Sequence, residues 1–560
     1  MKKKNILYNV ISKRALATVL NVQYKTLTYV LYRRGADSFY NEFEIKKKTG
    51  GTRIINAPQG ELKTIQKNLA KILEKSINNS SNISHGFIKN KSIYTNAAIH
   101  RNKRFVLNMD LQNFFDSFHF GRVRGFFIKN RNFNCTNEIA TMIAQIVCYK
   151  GKLPQGAPSS PVITNLICGS LDYKISKLSK KYKLDYTHYA DDITFSTNNR
   201  HFICEYENFL NEITDIIEKS GFKINDKKTR LTYSHKRQTV TGVVVNKKLS
   251  VPREYYKQTR AMAFNFYKNR IAYLDESNKT LNQIEGRFSY INSFDKLNNI
   301  LESDKNNKKK NLKDLNNREK DYARFIFYKY FYVNSKPLII TEGKTDILYI
   351  KAALKNLVGS YKDLYNGDFK INFLRRSKRF AFLLKISIDG ADTIKNFYKN
   401  YYTKPVIKDL SFDYFLDFGY YPDCPIIILL DNEPDGKHPL GKFVSSDKSS
   451  ELLEQLRLNG FIRLNKEQNV YLSIVPKNPD KKLDRYEIED LFDEELLNME
   501  LNGKKFNREG LKGYYTKDDL SKYVYSHYKE INFNNFNAMF ENFRNIIADY
   551  QKWYLANINN

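Results

Sequence analysis

The sequence predicts two architectures in one chain of 560 residues: an α+β unit, followed by an α/β unit with a mainly parallel sheet. Three observations carry this expectation. Up to about residue 245, strand-like and helical runs are mixed, and two of the strands meet at an acidic turn. From Pro337 onward, short apolar runs alternate with helices; Leu338-Ile-Ile-Thr341 and Pro425-Ile-Ile-Ile-Leu-Leu430 have the pattern of strands buried on both faces. The charge also divides: residues 1–330 hold 59 basic and 28 acidic side chains, and residues 331–560 hold 34 and 32. Nearly all of the net charge of +33 therefore lies on the first three-fifths of the chain, which points to a polyanion, most commonly nucleic acid, as its partner.

The length calls for two to four domains at ~100–200 residues each. A hydrophobic fraction of 41% with 14% aromatics excludes wholesale disorder. No run approaches the ~18 apolar residues of a membrane span, so no membrane partner is expected. Cysteines 135, 148, 168, 204 and 424 form no close pair, which argues against a zinc site or a disulfide framework. With no signal-peptide core after Lys2–Lys4, the expectation is a soluble cytoplasmic protein.

Taken in order, residues 1–80 read as largely helical, with apolar residues at helical spacing from Lys63 to Lys75. Just before that helix, Phe43 to Pro58 forms two strand-like runs about a Gly50-Gly51 turn. Phe105 to Asp110 is a strand leading into Phe114-Phe115. Leu153-Pro-Gln-Gly156 is a turn ahead of a helix containing Ile163 to Ile175, and Asp185 to Thr197 reads strand–turn–strand. Residues 246–330 become helical and end in a basic run, Lys305 to Lys320, which is either a solvated helix face or a linker. A domain boundary is expected near 320–337. Beyond it follow a helix from Thr345 to Leu357, a helix from Glu451 to Leu458 and a strand from Asn469 to Val475.

Two groups of acids stand at strand ends. Asp110 closes the strand Val-Leu-Asn-Met-Asp, and Asp191-Asp192 occupies a hairpin tip. In isolation such a pair is a turn device, because Asp tolerates turn conformations. Together the three carboxylates form a hard-oxygen set suited to two Mg²⁺ ions ~4 Å apart, and adjacent like charges are costly without cations. The second group is Glu342 with the trio Asp431, Glu433 and Asp435. Alternate residues of an extended segment face the same way, and strand C-termini in parallel sheets are where sites form.

The first group lies among motifs that resemble the reverse transcriptases of bacterial retrons. Asp110-Leu-Gln-Asn-Phe-Phe-Asp-Ser117 and Tyr189-Ala-Asp-Asp192 are similar to the two catalytic motifs, and Leu153-Pro-Gln-Gly-Ala-Pro-Ser-Ser-Pro161 to the nucleotide-positioning motif. Gly50 to Pro58 is similar to the fingers segment, while Asn96-Ala-Ala-Ile-His100 and Val240-Thr-Gly242 resemble two motifs particular to retrons. The resemblance runs from about residue 20 to 310. It implies a right-hand polymerase with fingers and palm over 1–245 and a helical thumb and basic linker over 246–330. Asp110, Asp191 and Asp192 would then be catalytic and would ligate Mg²⁺. Phe115 would be the ring that leaves no room for a ribose 2′-hydroxyl, Gln155 and Gly156 would line the nucleotide pocket, and Arg53 would clamp the triphosphate. Asn96, His100, Val240, Thr241 and Gly242 would make RNA-specific or structural contacts, and His188 reads as a plain strand residue. The partners implied are deoxynucleotides, a cognate structured noncoding RNA and its single-stranded DNA product, branched through a 2′,5′ linkage.

The second group resembles the Toprim domain of topoisomerases, bacterial primases and OLD-type nucleases, over about 335–500. It implies a centre for Mg²⁺ or Mn²⁺ in which Glu342, Asp431 and Glu433 are catalytic and Asp435 is a further ligand. Glu433 departs from the usual Asp-x-Asp. Tyr486-Glu-Ile-Glu-Asp490 is similar to a later acidic motif, offering Glu487 and Glu489 as ligands or simply as exposed acids at a helix start. Residues 501–560 match no motif. The combined expectation is a retron enzyme with a nuclease effector acting on a nucleic-acid target in defence against phage. Another type of reverse transcriptase, a primase- or topoisomerase-like Toprim, and a non-catalytic scaffold stay open, as does a homo-oligomer.

Overall fold

Pairing of three strands organises the first half of the chain. Phe105–Gln112 is central, with Asp192–Thr197 antiparallel on one side and Lys223–Ile224 and Arg230–Tyr233 on the other; Asp185–Tyr189 closes the outer edge. Six of the eight residues of the central strand are buried, and Phe105, Leu107, Met109 and Leu111, which share one face, pack into the core with the helix Ser160–Lys181 and its neighbours. The computed structural model describes residues 5–46, 50–77, 82–274, 277–302, 311–386, 392–433, 438–444 and 449–558.

The strands Tyr40–Lys46 and Thr52–Pro58 form a separate antiparallel hairpin. Its turn runs through Gly50 and Gly51 at φ +88° and +78°, a region that glycine enters without steric cost. The helix Gly60–Glu74 follows and buries Leu62, Ile65, Leu69 and Leu73, the i, i+3, i+4 stripe legible in the sequence.

Packing divides the chain into two compact units, Met1–Tyr255 with Phe294–Glu302, and Tyr256–Ser293 with Ser303–Asn560. This division does not coincide with the boundary expected near 320–337. The helical segment expected as a thumb crosses it, since Met262, Phe266, Ile284 and Phe288 are buried in one core with Phe325, Tyr328 and Phe415 of the second unit. The amphipathic pattern of a helix states which face is buried but not what buries it. Of the basic run, 303–310 lies outside the described residues. The rest forms the turn Leu312–Asp314 and the start of the helix Asn317–Phe327, where Asn316 and Glu319 cap reciprocally.

The second unit is built on a five-stranded sheet in the order Asn372–Phe373, Leu338–Thr341, Ile426–Leu430, Val470–Ile474, Phe461–Arg463. The first four strands run parallel and the last is antiparallel. Alternation along the strands supplies two cores. Ile340, Ile426 and Ile428 face helices that include Phe325 and Phe415, whereas Ile339, Ile427 and Tyr471 face the helix Asp346–Asn356 and the C-terminal helices Lys517–Ser526 and Asn537–Ile558. Helices of the segment 501–558 thus cover one face of this sheet.

Candidate active site and a second acidic centre

In the first unit, Asp110 and Asp192 are register partners across the antiparallel pair, and the Leu111 N–H donates to the Asp191 carbonyl at 3.0 Å. Asp191 sits in a two-residue turn with Ala190, which adopts φ +56°. Holding a non-glycine residue there stores strain, and the surroundings impose it. Residues 83–86 lie along the hairpin, with the His85 N–H donating to the His188 carbonyl and the His188 N–H donating to that of Ile83, both at 2.9 Å. Gly86 is obligatory at this contact, since a Cβ would lie 2.6 Å from the Ala190 nitrogen. His188 is the buried strand residue expected, and with Tyr186 it ties the hairpin to Asp172 of the helix Ser160–Lys181, at 2.9 and 2.8 Å.

Burial first, then the neighbouring Asp191 and Asp110, pushes the Asp192 carboxyl up to about 6; Asp191 is also raised, chiefly by burial. The compensation is cationic. Lys228 Nζ lies 2.9 Å from Asp110 Oδ1, Asn225 Nδ2 donates to Asp110 Oδ2 at 3.2 Å, and Arg53 of the strand Thr52–Pro58 opposes the rise at Asp191. Neither Lys228 nor Asn225 carries a signal in the sequence. Among the described residues no three acidic, His or Cys side chains form a ready-made metal cage. Three hard carboxylates, two of them crowded and buried enough to raise their proton affinity, nevertheless fit Mg²⁺, which is held by one or two carboxylates together with substrate phosphates.

The remaining motif residues gather at the same sheet or support it. The Asn56 N–H donates to the Gln155 carbonyl at 2.7 Å, fastening the hairpin to the Leu153–Gly156 turn. Gly156, at φ +116°, leaves room for Ile55 and Asn56 where a Cβ would sit 2.8 Å from Ile55 Cγ2. Phe114 enters the aromatic cluster with Phe118 and Phe222, leaving Phe115 half-buried beside it. Thr241 and Gly242 are the two positive-φ residues of the tight turn that joins Val240 to Val243. This turn lines a cavity of about 350 Å³ with Asp110, Asp192 and Lys228. His100 is structural: its ring lies 2.7 Å from both Ser196 Oγ and Thr187 Oγ1, and burial lowers it to about 3, so it stays neutral. Asn96 is buried, and neither end of its amide has a hydrogen-bond partner among the described residues.

In the second unit, Glu342 follows the strand Leu338–Thr341 and Asp431 follows Ile426–Leu430, so neighbouring parallel strands bring them together. Burial and the charges of Asp346 and Glu433 push Glu342 up to about 7, and Asp431 is raised far above the usual carboxylate range by burial and Asp346. Glu433 Oε2 lies 2.7 Å from His438 Nδ1. Asp435 lies outside the described residues. The reading of Glu489 as an exposed acid is corrected: it is 1% exposed and raised to about 7 by burial, because its short helical turn faces inward. Glu487 and Glu489 share Lys517 Nζ, at 3.1 and 3.2 Å. Asp346 and Lys517 were not singled out from the sequence. Asp346, four residues after Glu342 at a helix start, carried a local signal; Lys517, on the C-terminal segment, carried none. Six carboxylates with one inserted ammonium form a set that fits a hard divalent cation.

An antiparallel sheet with carboxylates at one end, faced by a separate hairpin, is the palm of a nucleic-acid polymerase. Residues 45–255 match the family model for reverse transcriptase (RNA-dependent DNA polymerase). The retron Ec86 reverse transcriptase of Escherichia coli is 34% identical over 284 residues, which cover 50% of this chain and 83% of that protein. The retron Mx162 reverse transcriptase of Myxococcus xanthus is 32% identical over 315 residues, covering 51% and 64%. The retron Ec83 reverse transcriptase of Escherichia coli is 30% identical over 288 residues, covering 49% and 89%. The chain belongs to the retron reverse transcriptases. No described helix is long and apolar enough to cross a membrane.

Proposed function

We propose that this reverse transcriptase copies a cognate structured noncoding RNA into multicopy single-stranded DNA, starting from an RNA 2′-hydroxyl so that the product is branched. Fingers and palm occupy 1–245 and thumb and linker 246–330 in this reading. The supporting observation is the meeting of Asp110, Asp191 and Asp192 at one end of the sheet. Two Mg²⁺ ions held there supply the charge that activates the attacking hydroxyl and relieves the leaving phosphate. Phe115 stands under the incoming sugar and selects deoxynucleotides, Arg53 holds the triphosphate, and Gln155 with Gly156 shapes the nucleotide pocket. Lys228 holds the Asp110 carboxylate in place at 2.9 Å.

Within the second unit, 335–500 is in this reading a Toprim effector that cleaves nucleic acid with Mg²⁺ or Mn²⁺ in cytoplasmic defence against phage. Glu342, Asp431 and Glu433 hold the metal, assisted by Asp435, Asp346, Glu487 and Glu489, and the segment 501–560 contributes Lys517. The support is the gathering of raised carboxylates at the ends of adjacent parallel strands.

The test is co-expression with the adjacent noncoding RNA and extraction of nucleic acid. The wild type yields a discrete single-stranded DNA sensitive to debranching; the Asp191→Asn, Asp192→Asn double variant yields none. Absence of the product from the wild type, with the RNA present, refutes the self-primed reading.

A further inference from the structure

A cavity of the second unit is lined by none of the acids of either acidic site. It encloses about 940 Å³, the size of a small-molecule pocket, between the segment Phe266–Glu285, the residues Lys329–Leu338 and the edge strand Asn372–Phe373. Five cations line it, Arg270, Lys279, Lys329, Arg375 and Arg379, against one acid, Glu285. Three of the five are committed. Arg270 is bidentate to Asp423 at 2.7 and 2.8 Å, Lys329 pairs with Glu285, and Arg379 reaches Glu285 Oε1 at 2.8 Å.

Lys279 and Arg375 have no carboxylate partner among the described residues; Lys279 donates only to the Ser277 hydroxyl. This positive charge is felt nearby. Lys351, whose ammonium lies 5.0 Å over the Phe373 ring, is held below its usual value by burial and by Arg375. The walls also carry half-buried rings, Tyr330 and Phe373, and an amide that lacks a partner. Asn334 is 6% exposed and donates to the Lys336 carbonyl at 3.0 Å, whereas its Oδ1 is buried without a donor among the described residues.

We propose that this cavity binds a nucleoside phosphate, with the base against the rings of Tyr330 and Phe373 and the phosphate held by Lys279 and Arg375. Aromatic faces beside cations without carboxylate partners are the combination that recognises a base together with its phosphate. A free nucleotide and one residue of a strand present this same chemistry. The inference stands independently of any nuclease activity, because none of its residues belongs to the acidic centre.

Photolabelling of the full-length protein decides it, using 8-azidoadenosine triphosphate in one arm and a short oligodeoxyadenylate carrying one 8-azidoadenine in the other. Adducts are mapped to peptides, and labelling of palm peptides serves as an internal reference. The expected result is an adduct on the peptide of Tyr330 or Phe373 in at least one arm. The double variant Lys279→Glu, Arg375→Glu lowers that adduct about tenfold while the melting temperature and palm labelling hold. Labelling by the triphosphate identifies a free nucleotide as the source, and labelling by the oligonucleotide alone identifies a strand. Absence of pocket adducts in both arms, or adducts that persist in the charge-reversed variant, overturns the proposal.

Discussion

Asp110 and Asp192 stand directly opposite each other in the antiparallel register; Asp192 opens its strand, whereas the strand of Asp110 runs on to Gln112 past the end expected from the sequence. Side chains of opposed residues lie within ~4.5–5.5 Å at Cβ, so two carboxylates there repel unless cations intervene. Lys228 supplies one positive charge at 2.9 Å from Asp110. Replacing Asp192 with Asn leaves the strand pairing intact and removes the charge. DNA synthesis on a primed RNA template is expected to fall ~10³-fold with little change in melting temperature, as measured by primer extension.

Phe115 is half-buried beside the fully packed Phe114, so truncating it costs little of the core. Phe115→Ala is expected to lower the preference for deoxynucleotides over ribonucleotides about tenfold or more, read as the ratio of the two kcat/KM values. An unchanged ratio refutes the steric role.

Gly156→Ala places a methyl group 2.8 Å from Ile55 Cγ2 and 2.9 Å from the Asn56 carbonyl oxygen, at a backbone angle unfavourable to alanine. The fingers hairpin must shift, at about 1–3 kcal/mol. A raised KM for deoxynucleotides, with a lower melting temperature, is the expected pair of readouts.

His100 bridges Ser196 and Thr187 at 2.7 Å each and is neutral at physiological pH. His100→Ala is expected to destabilise the first unit by about 2–4 kcal/mol through the cavity and the two stranded hydroxyls. The salt dependence of RNA binding should be unchanged; a shallower slope identifies a phosphate contact instead.

Glu342 and Glu489 are each raised to about 7 by burial, from an ordinary value near 4.5. The folded state therefore binds more protons than the unfolded one between these values. Without metal, stability is fully present below about 4.5 and is lost as pH rises through about 7. Mg²⁺ should restore it above that range and do nothing below 4.5, with each unit of upward shift worth about 1.4 kcal/mol, or roughly 3–6 °C in Tm. Thermal melts across pH with and without Mg²⁺ check this, and a melting profile flat in both refutes a metal centre here. Lys517→Met should deepen the metal-free loss, since it strips Glu489 of its ion pair.

The longer strands of both sheets, the helices with a clean apolar stripe and the placing of three acids near the palm hairpin were legible in the sequence, whereas the short strands Lys223–Ile224, Arg230–Tyr233, Asn372–Phe373 and Phe461–Arg463 were not. The legible features rest on local properties: alternation, period 3.6, turn glycines, and acids placed at strand ends. The packing of 256–293 into the second unit, the ammonium of Lys228 on Asp110 and the reach of Lys517 to Glu487 and Glu489 were decided only by tertiary structure. Each joins residues distant in sequence or unmarked by local pattern. A lysine among 93 basic residues carries no trace of the carboxylate it meets until the chain has closed on itself.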